Sequence, residues 1–346
     1  MKLLLKLILN SWLIIAFVAV LLFSLSSTAA ESTWLIPKTE HGYPDFQGLW
    51  TNPSQTPLQR PVNLGDRRAY TTEEALRLEQ RAEDLDNARA LPLSQDRPAP
   101  PRGGFIDQQA DGNFEIMPTA VSRVAGEYRT SLIIDPLNGR LPYLRGAKDI
   151  YAAWDSEGHG RSDGPEVRGV LERCLSPGGQ LPLLFAFGGP GTGNPGGDNP
   201  VRNIQIVQNK NYVVILSEYF SAVRVVRLGT GHIENQGNKW MGDSIAHYEG
   251  DSLIIHSKNF RPEQSTPFLR SSTQLEITET YTLVSADELL FSYTFTDPEI
   301  YSRSFTAEIP LQRMKPGQEI YEYACHEGNY SMISILRAAR MEESLN

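Results

Sequence analysis

The polar residues crowd most densely in Tyr321-Glu322-Tyr323-Ala324-Cys325-His326-Glu327-Gly328-Asn329-Tyr330. A histidine beside a carboxylate supplies one group that titrates near neutral pH and one that can orient it, as general acid–base chemistry requires. Neighbours in an extended segment point to opposite sides, so His326 and Glu327 cooperate only if the chain turns there. Glu322 and Glu327 are equally suited to cap a following helix, and Cys325 to anchor it. A second candidate lies in Leu275–Leu283, where alternation puts Glu279 on the face of Leu275, Ile277, Tyr281 and Leu283. A carboxylate in an apolar interior is costly unless paired. Arg224, which shares a strand face with Ala222, Val226 and Leu228, is the expected partner, as a buried structural pair or as a ligand-reading one. Glu218, ending the face Tyr212-Val214-Leu216, is a third candidate.

Around the hairpin Glu249-Gly250-Asp251, the residues Asp243, His247, Glu249 and Asp251 form an acidic group with one histidine. Alternate oxygen ligands can hold calcium and a histidine adds affinity for zinc, but the spacing fits neither the calcium-loop nor the zinc-protease template. A solvated turn is the better reading, and no metal is assigned. His232 and His256 stand alone and read as surface or core histidines. No Gly-x-Ser-x-Gly elbow is present to present a serine nucleophile. The glycine-rich run Gly188–Gly197 lacks the Lys-Ser/Thr ending of a phosphate cradle and reads as a surface loop.

Assembled, these residues suggest an enzyme acting on a small, largely apolar or aromatic substrate without an organic cofactor, in the manner of a lyase, isomerase or cyclase. His326 or Glu279 would move the proton, Arg224 and Tyr323 would stabilise developing negative charge, and Asp243 or Glu327 would orient. Glu218, Asp243 and Trp240 are the candidate substrate contacts. The alternatives are a periplasmic small-ligand binding protein with the same cavity and no turnover, and a structural envelope protein. Convergence of at least two of His326, Glu327, Glu279, Arg224 and Glu218 on one concave pocket is the mark of the enzyme.

The elements that must position these groups are mainly β. Short runs of β-branched and aromatic residues separated by turn signals predict strands at Ile204–Gln208, Tyr212–Glu218, Val223–Leu228, Ala246–Glu249, Ser252–Ser257, Leu275–Val284, Glu288–Thr296 and Ser304–Leu311. Without intervening helices they predict an antiparallel, barrel-like core, and barrels of about eight strands can hold one small ligand. Residues 31–200 form a proline- and glycine-rich arm wrapping that core, with one helix at Thr72–Ala90 opened by Thr72, Glu73 and Glu74. Residues 201–346 carry the strands and a short C-terminal helix over Ser331–Glu343, read as one domain with the arm.

Residues 1–30 stand apart. Lys2 and Lys6 precede the apolar run Trp12–Leu25, which ends in Ser26-Ser27-Thr28-Ala29-Ala30, a secretory signal with a cut expected before Glu31. The run is also long enough to span a bilayer uncleaved; cleavage would leave no membrane segment. A net charge of −9 with scattered basic residues lacks the electrostatic footprint of a nucleic-acid binder. Oligomeric state is not legible. The two cysteines, Cys174 and Cys325, fall in the exported part, where an even pair is most simply a disulfide.

Pro44-Asp45-Phe46-Gln47-Gly48-Leu49-Trp50-Thr51-Asn52, Glu172-Arg173-Cys174, Asn203-Ile204-Gln205-Ile206-Val207-Gln208, Trp240-Met241-Gly242-Asp243-Ser244, Glu249-Gly250-Asp251 and the Tyr321–Tyr330 segment together resemble a large family of exported proteins from acidobacteria and proteobacteria. The resemblance implies export and a shared fold and carries no catalytic assignment. One departure is Tyr248, where relatives have tryptophan, with an effect confined to packing.

Overall fold

Alternation of β-branched and aromatic residues with polar ones builds a wall with an apolar inner face, and in the computed structural model that wall closes on itself. The structure describes residues 34–89, 91, 95–96, 119–147, 160, 162–170, 172–175, 203–235, 237–265, 269–327 and 329–345. The expected signal at 1–30 and the run Gly188–Gly197 lie outside them. The chain divides into two units, Met1–Leu35 and Ile36–Asn346, and everything below concerns the second.

Nine strands close the barrel: β1 (Gly48–Thr51), β6 (Asn203–Gln208), β7 (Tyr212–Ser217), β8 (Ala222–Leu228), β9 (Asp243–Glu249), β10 (Ser252–Lys258), β11 (Glu276–Leu283), β12 (Glu288–Thr296) and β13 (Phe305–Arg313). The barrel is mainly β as expected, with two departures. The first is closure by the arm: β1 pairs with β6 along Gly48–Thr51 and with β13 through Trp50 opposite Arg313. Eight strands alone would leave two edges of unpaired backbone groups, and β1 removes both. Phe46 and Trp50 are fully buried beneath it, the indole donates to the Phe46 carbonyl at 2.9 Å, and the Arg313 guanidinium lies 4.2 Å from the indole ring. A further piece of the arm, β5 (Ile133–Asp135), pairs with the first half of β13 across a register shift at Thr306/Ala307. The second departure is that β8 and β9 run parallel, Arg227 opposite Ile245, so residues 229–242 must cross back over the barrel end to end.

Inside the wall Leu289, Phe291, Tyr293 and Phe295 of β12 meet Ile277, Tyr281 and Leu283 of β11 and Phe305, Ala307 and Ile309 of β13 in one apolar cluster. Outside it, β2 (Ala69–Tyr70), β3 (Arg123–Val124) and β4 (Glu127–Arg129) form a small sheet beside helix α1 (Thr72–Arg89). The cap of α1 is Thr71 rather than Thr72: the Thr71 hydroxyl accepts from the Glu74 amide at 3.2 Å and Glu74 accepts from the Thr71 amide at 2.8 Å. Thr71 is the residue at capping-box spacing from Glu74. Helix α2 (Tyr330–Glu343) ends the fold.

Strand β9 starts at Asp243, three residues ahead of the sequence expectation, because Gly242 turns the chain in at φ +65°. A Cβ at Gly242 would sit 2.7 Å from the Phe260 ring and 2.8 Å from the Lys258 carbonyl. Gly242→Ala is therefore expected to destabilise by about 1–3 kcal/mol through the left-handed backbone and the clash together. Urea unfolding at neutral pH checks this, and an unchanged midpoint would refute it.

Candidate functional site

Glu279 and Arg224 do find each other. Both project into the barrel, where Arg224 Nη1 donates to Glu279 Oε2 at 2.6 Å and Nη2 to Oε1 at 3.0 Å, and the Tyr281 hydroxyl donates to Oε1 at 3.2 Å. Glu279 is fully buried and Arg224 nearly so, at 3% exposure. Burial, the largest single influence, pulls the guanidinium down; the charge of Glu279 together with Tyr281 and the hydrogen bonds to both outweighs it and raises Arg224 instead. Burial, then the carboxylate beside it, pushes the Tyr281 phenol well above its usual value, so it remains a donor. Arg224 Nε and the inward Ser217 hydroxyl of β7 have no protein partner among the described residues.

The second assembly lies on the outer wall beneath the 229–242 crossover. Arg227 of β8 grips Asp243 with two bonds, at 2.8 and 3.0 Å, and His232 Nδ1 stands 2.8 Å from Asp243 Oδ2. His232 Nε2 meets His256 Nδ1 at 2.8 Å, and His256 Nε2 lies 3.3 Å from Glu276 Oε2. Hydrogen bonds from Arg227, then from His232 and the Ile233 amide, outweigh burial and hold the Asp243 carboxyl far below the ordinary range. Asp243 is thus committed to the crossover. Both histidines read as isolated in the sequence, where they stand 24 residues apart. Their meeting follows from register: Ile245 faces His256, so Asp243 and Glu276 sit diagonally to either side of it on the outward phase.

The third assembly is the mouth of the barrel at the β7–β8 connection. Phe220 and Ser221 adopt left-handed backbone (φ 65° and 46°), an unfavourable conformation for residues with a side chain. That turn receives the C-terminal segment. Glu218 accepts from the Tyr321 amide at 2.9 Å and from Asn203 Nδ2 at 2.5 Å, and the Ser221 hydroxyl accepts from the Tyr323 amide at 3.3 Å. The Tyr323 ring stacks on Phe220 and meets Tyr219 edge-on. Cys325 then joins Cys174 in a disulfide. Beside it opens a cavity of about 500 Å³, lined by the disulfide, Tyr323, Met332 and Ile335 and by the polar Arg168, Glu172, Glu322 and Asn329. Arg168 is paired to Glu172 at 2.5 Å, and Asn329 Nδ2 donates to the Glu172 carbonyl at 2.8 Å.

The arrangement corrects the expected acid–base set. His326 and Glu327 sit exposed on the turn that follows the disulfide, with the Glu327 amide bonded to the Ala324 carbonyl at 3.1 Å, whereas Glu279 is sealed in the barrel. A surface imidazole and a fully buried carboxylate cannot share a substrate. Asp243 orients His232, not His326. Glu218 holds the C-terminal segment rather than a ligand, and Trp240 is half-buried with the Arg261 guanidinium 4.5 Å from its ring. Of the expected site residues, Tyr323 alone lines the cavity together with the disulfide pair. The residues that sequence reasoning missed there, Arg168, Glu172 and Asn329, carry one usable signal: Glu172 and Asn329 each lie within four positions of a cysteine in the expected disulfide.

A second concavity of about 560 Å³ runs along α1 past Arg67, Tyr70, Glu74 and Arg81. It is drawn from α1 and the segment just before it, whereas the first cavity joins two distant segments that a disulfide ties together, which makes the disulfide-walled cavity the better candidate. Among the described residues no group of three or more His, Cys, Asp or Glu could hold a metal ion, and no helix is long and apolar enough to cross a membrane.

Fold and site together define a closed nine-stranded β-barrel with a disulfide-walled cavity at one mouth. The chain matches no family model, and no curated protein is similar to it.

Proposed function

We propose that the protein is exported and binds a small amphipathic molecule, an aromatic or aliphatic body with a polar group, in the cavity beside Cys174–Cys325. The cavity itself is the observation that carries this reading. Its volume lies within the ordinary range of ligand sites, and its lining combines apolar side chains with polar groups held by hydrogen bonds. Export is supported by the leader at 1–30, by the motif likeness to an exported family, and by the disulfide, a bond that persists in oxidising compartments.

Binding without turnover is preferred to acid–base catalysis because none of His326, Glu327, Glu279, Arg224 and Glu218 lines the cavity. The test uses 8-anilinonaphthalene-1-sulfonate as the probe, its rings matched to Tyr323, Met332 and Ile335 and its sulfonate to Arg168. The mature wild-type protein is expected to bind it with 1:1 stoichiometry, and Ile335→Arg, which fills the cavity, to weaken binding at least ~10-fold, about 1.4 kcal/mol. Circular dichroism and urea unfolding confirm that the variant is folded. Equal affinity of variant and wild type would remove the reading.

A further inference from the structure

The histidine assembly on the outer wall has a proton count that its hydrogen bonds dictate. Four ring nitrogens take part in three contacts: His232 Nδ1 with Asp243, His232 Nε2 with His256 Nδ1, and His256 Nε2 with Glu276. Carboxylates only accept, so both outer nitrogens must carry hydrogen, and the inner contact needs one hydrogen between two nitrogens. Three protons on two imidazoles satisfy all three contacts, and the pair then bears a single positive charge between two acidic residues. Removing one proton costs one of the three bonds. Adding a fourth sets two N–H groups against each other at a separation of 2.8 Å.

We infer that His232 and His256 share one proton and act as a pH-sensitive latch that fastens the start of the 229–242 crossover to the barrel wall. The fastening is concentrated there. Beyond the ring contacts, the Ile233 amide donates to Asp243 Oδ2 at 3.3 Å and Arg227 Nη2 donates to the Gly231 carbonyl at 3.3 Å. The other end of the crossover is held separately, by backbone bonds between Lys239 and Asn259 and between Arg261 and Lys239, so opening the latch frees residues 230–235 without unpicking β9.

The charged groups facing the pair come from four strands and the crossover. Arg227 and Asp243 close the inner side from β8 and β9, Lys239 reaches to within 3.9 Å of Asp243 from the crossover, Lys258 follows on β10, and Glu276 stands on β11. Burial first, then repulsion from His256 and Lys258, lowers His232 against the pull of Asp243. Its folded value lies below its unfolded one. Protonation of His232 therefore costs stability as pH falls below the unfolded imidazole value, ~6.5, while loss of the shared proton at higher pH removes one of the three bonds. The latch is closed with one proton and opens when the second arrives.

Long-range proton–nitrogen correlation spectra of the mature protein labelled at histidine, recorded from about pH 4 to pH 8.5, test this directly. The expected result is two macroscopic steps for the pair, more than about one pH unit apart, with His232 keeping its hydrogen on Nδ1 across the first. Amide exchange in 231–235, corrected for intrinsic rate, should quicken about tenfold across the lower step while β12 amides remain protected. In His256→Asn, His232 should titrate in a single step. Coincident, independent histidine curves would overturn the shared proton, and separated steps without the change in exchange would overturn the latch.

Discussion

Glu279→Gln is expected to destabilise the protein by about 3–5 kcal/mol, the cost of leaving a buried charge without its counter-ion. The substitution changes almost no volume, so the loss reports charge alone. Arg224 has no route to water: it is 3% exposed, already has an unpartnered Nε, and faces buried Ile215 on β7 while Ile255 stands opposite Glu279. The double variant Arg224→Met/Glu279→Leu should recover most of the loss, because a close-packed apolar pair of similar volume often matches or exceeds a buried ion pair. Tyr281→Phe, which removes one hydrogen bond to a charged group and leaves the ion pair, should cost only about 1–2 kcal/mol. Urea unfolding of all three against wild type at neutral pH gives the ranking. A single variant as stable as wild type would mean that the pair is solvated or rearranged in solution and that the barrel interior is not sealed at that level.

Loss of the disulfide carries the other large effect. Cys174 and Cys325 are 151 positions apart, so their bond constrains a very long loop of the unfolded chain. The chain-entropy relation assigns such a loop about 5 kcal/mol, and Cys174→Ser/Cys325→Ser should lose about that much. For a chain of this size that corresponds to a fall in the thermal midpoint of roughly 8 °C. The bond also forms part of the cavity wall and ties residues 172–175 to the C-terminal segment, so the variant should bind 8-anilinonaphthalene-1-sulfonate more weakly even where it remains folded. Dithiothreitol should reproduce both effects on the wild type and leave the double-serine variant unchanged. If the reductant lowers stability but not probe binding, the cavity retains its shape without the bond and the probe rests on α2 alone.

These two predictions differ in how they were legible. The pairing of Arg224 with Glu279 could be read from period-two alternation: each shares a face with Val, Ile, Leu or Tyr, and an unpaired charge there is too costly to persist. The disulfide could be read from an even cysteine count in a chain whose sequence carries an export-like leader. The strands β6–β13, the helix after Thr71 and the hairpin at Gly250 follow equally from local pattern, because side-chain phase and turn chemistry are properties of a few consecutive residues.

Closure was different. Four residues, Gly48–Thr51, in a proline-rich arm carry no strand signal of their own; they become a strand because β6 and β13 offer unpaired edges that only a stave between them can satisfy. The parallel step from β8 to β9 is likewise a matter of topology, and it draws His232 over the wall to meet His256. By contrast His326 and Glu327, adjacent in sequence and the most suggestive pair of residue types, are carried to the surface by the turn after Cys325. The amino-acid sequence by itself determined which side chains must be buried, which buried charges must pair and which cysteines must join, since those costs are local. Only the tertiary structure decided which polar groups converge, since register, closure and crossover bring together residues whose separation along the chain carries no trace of their contact.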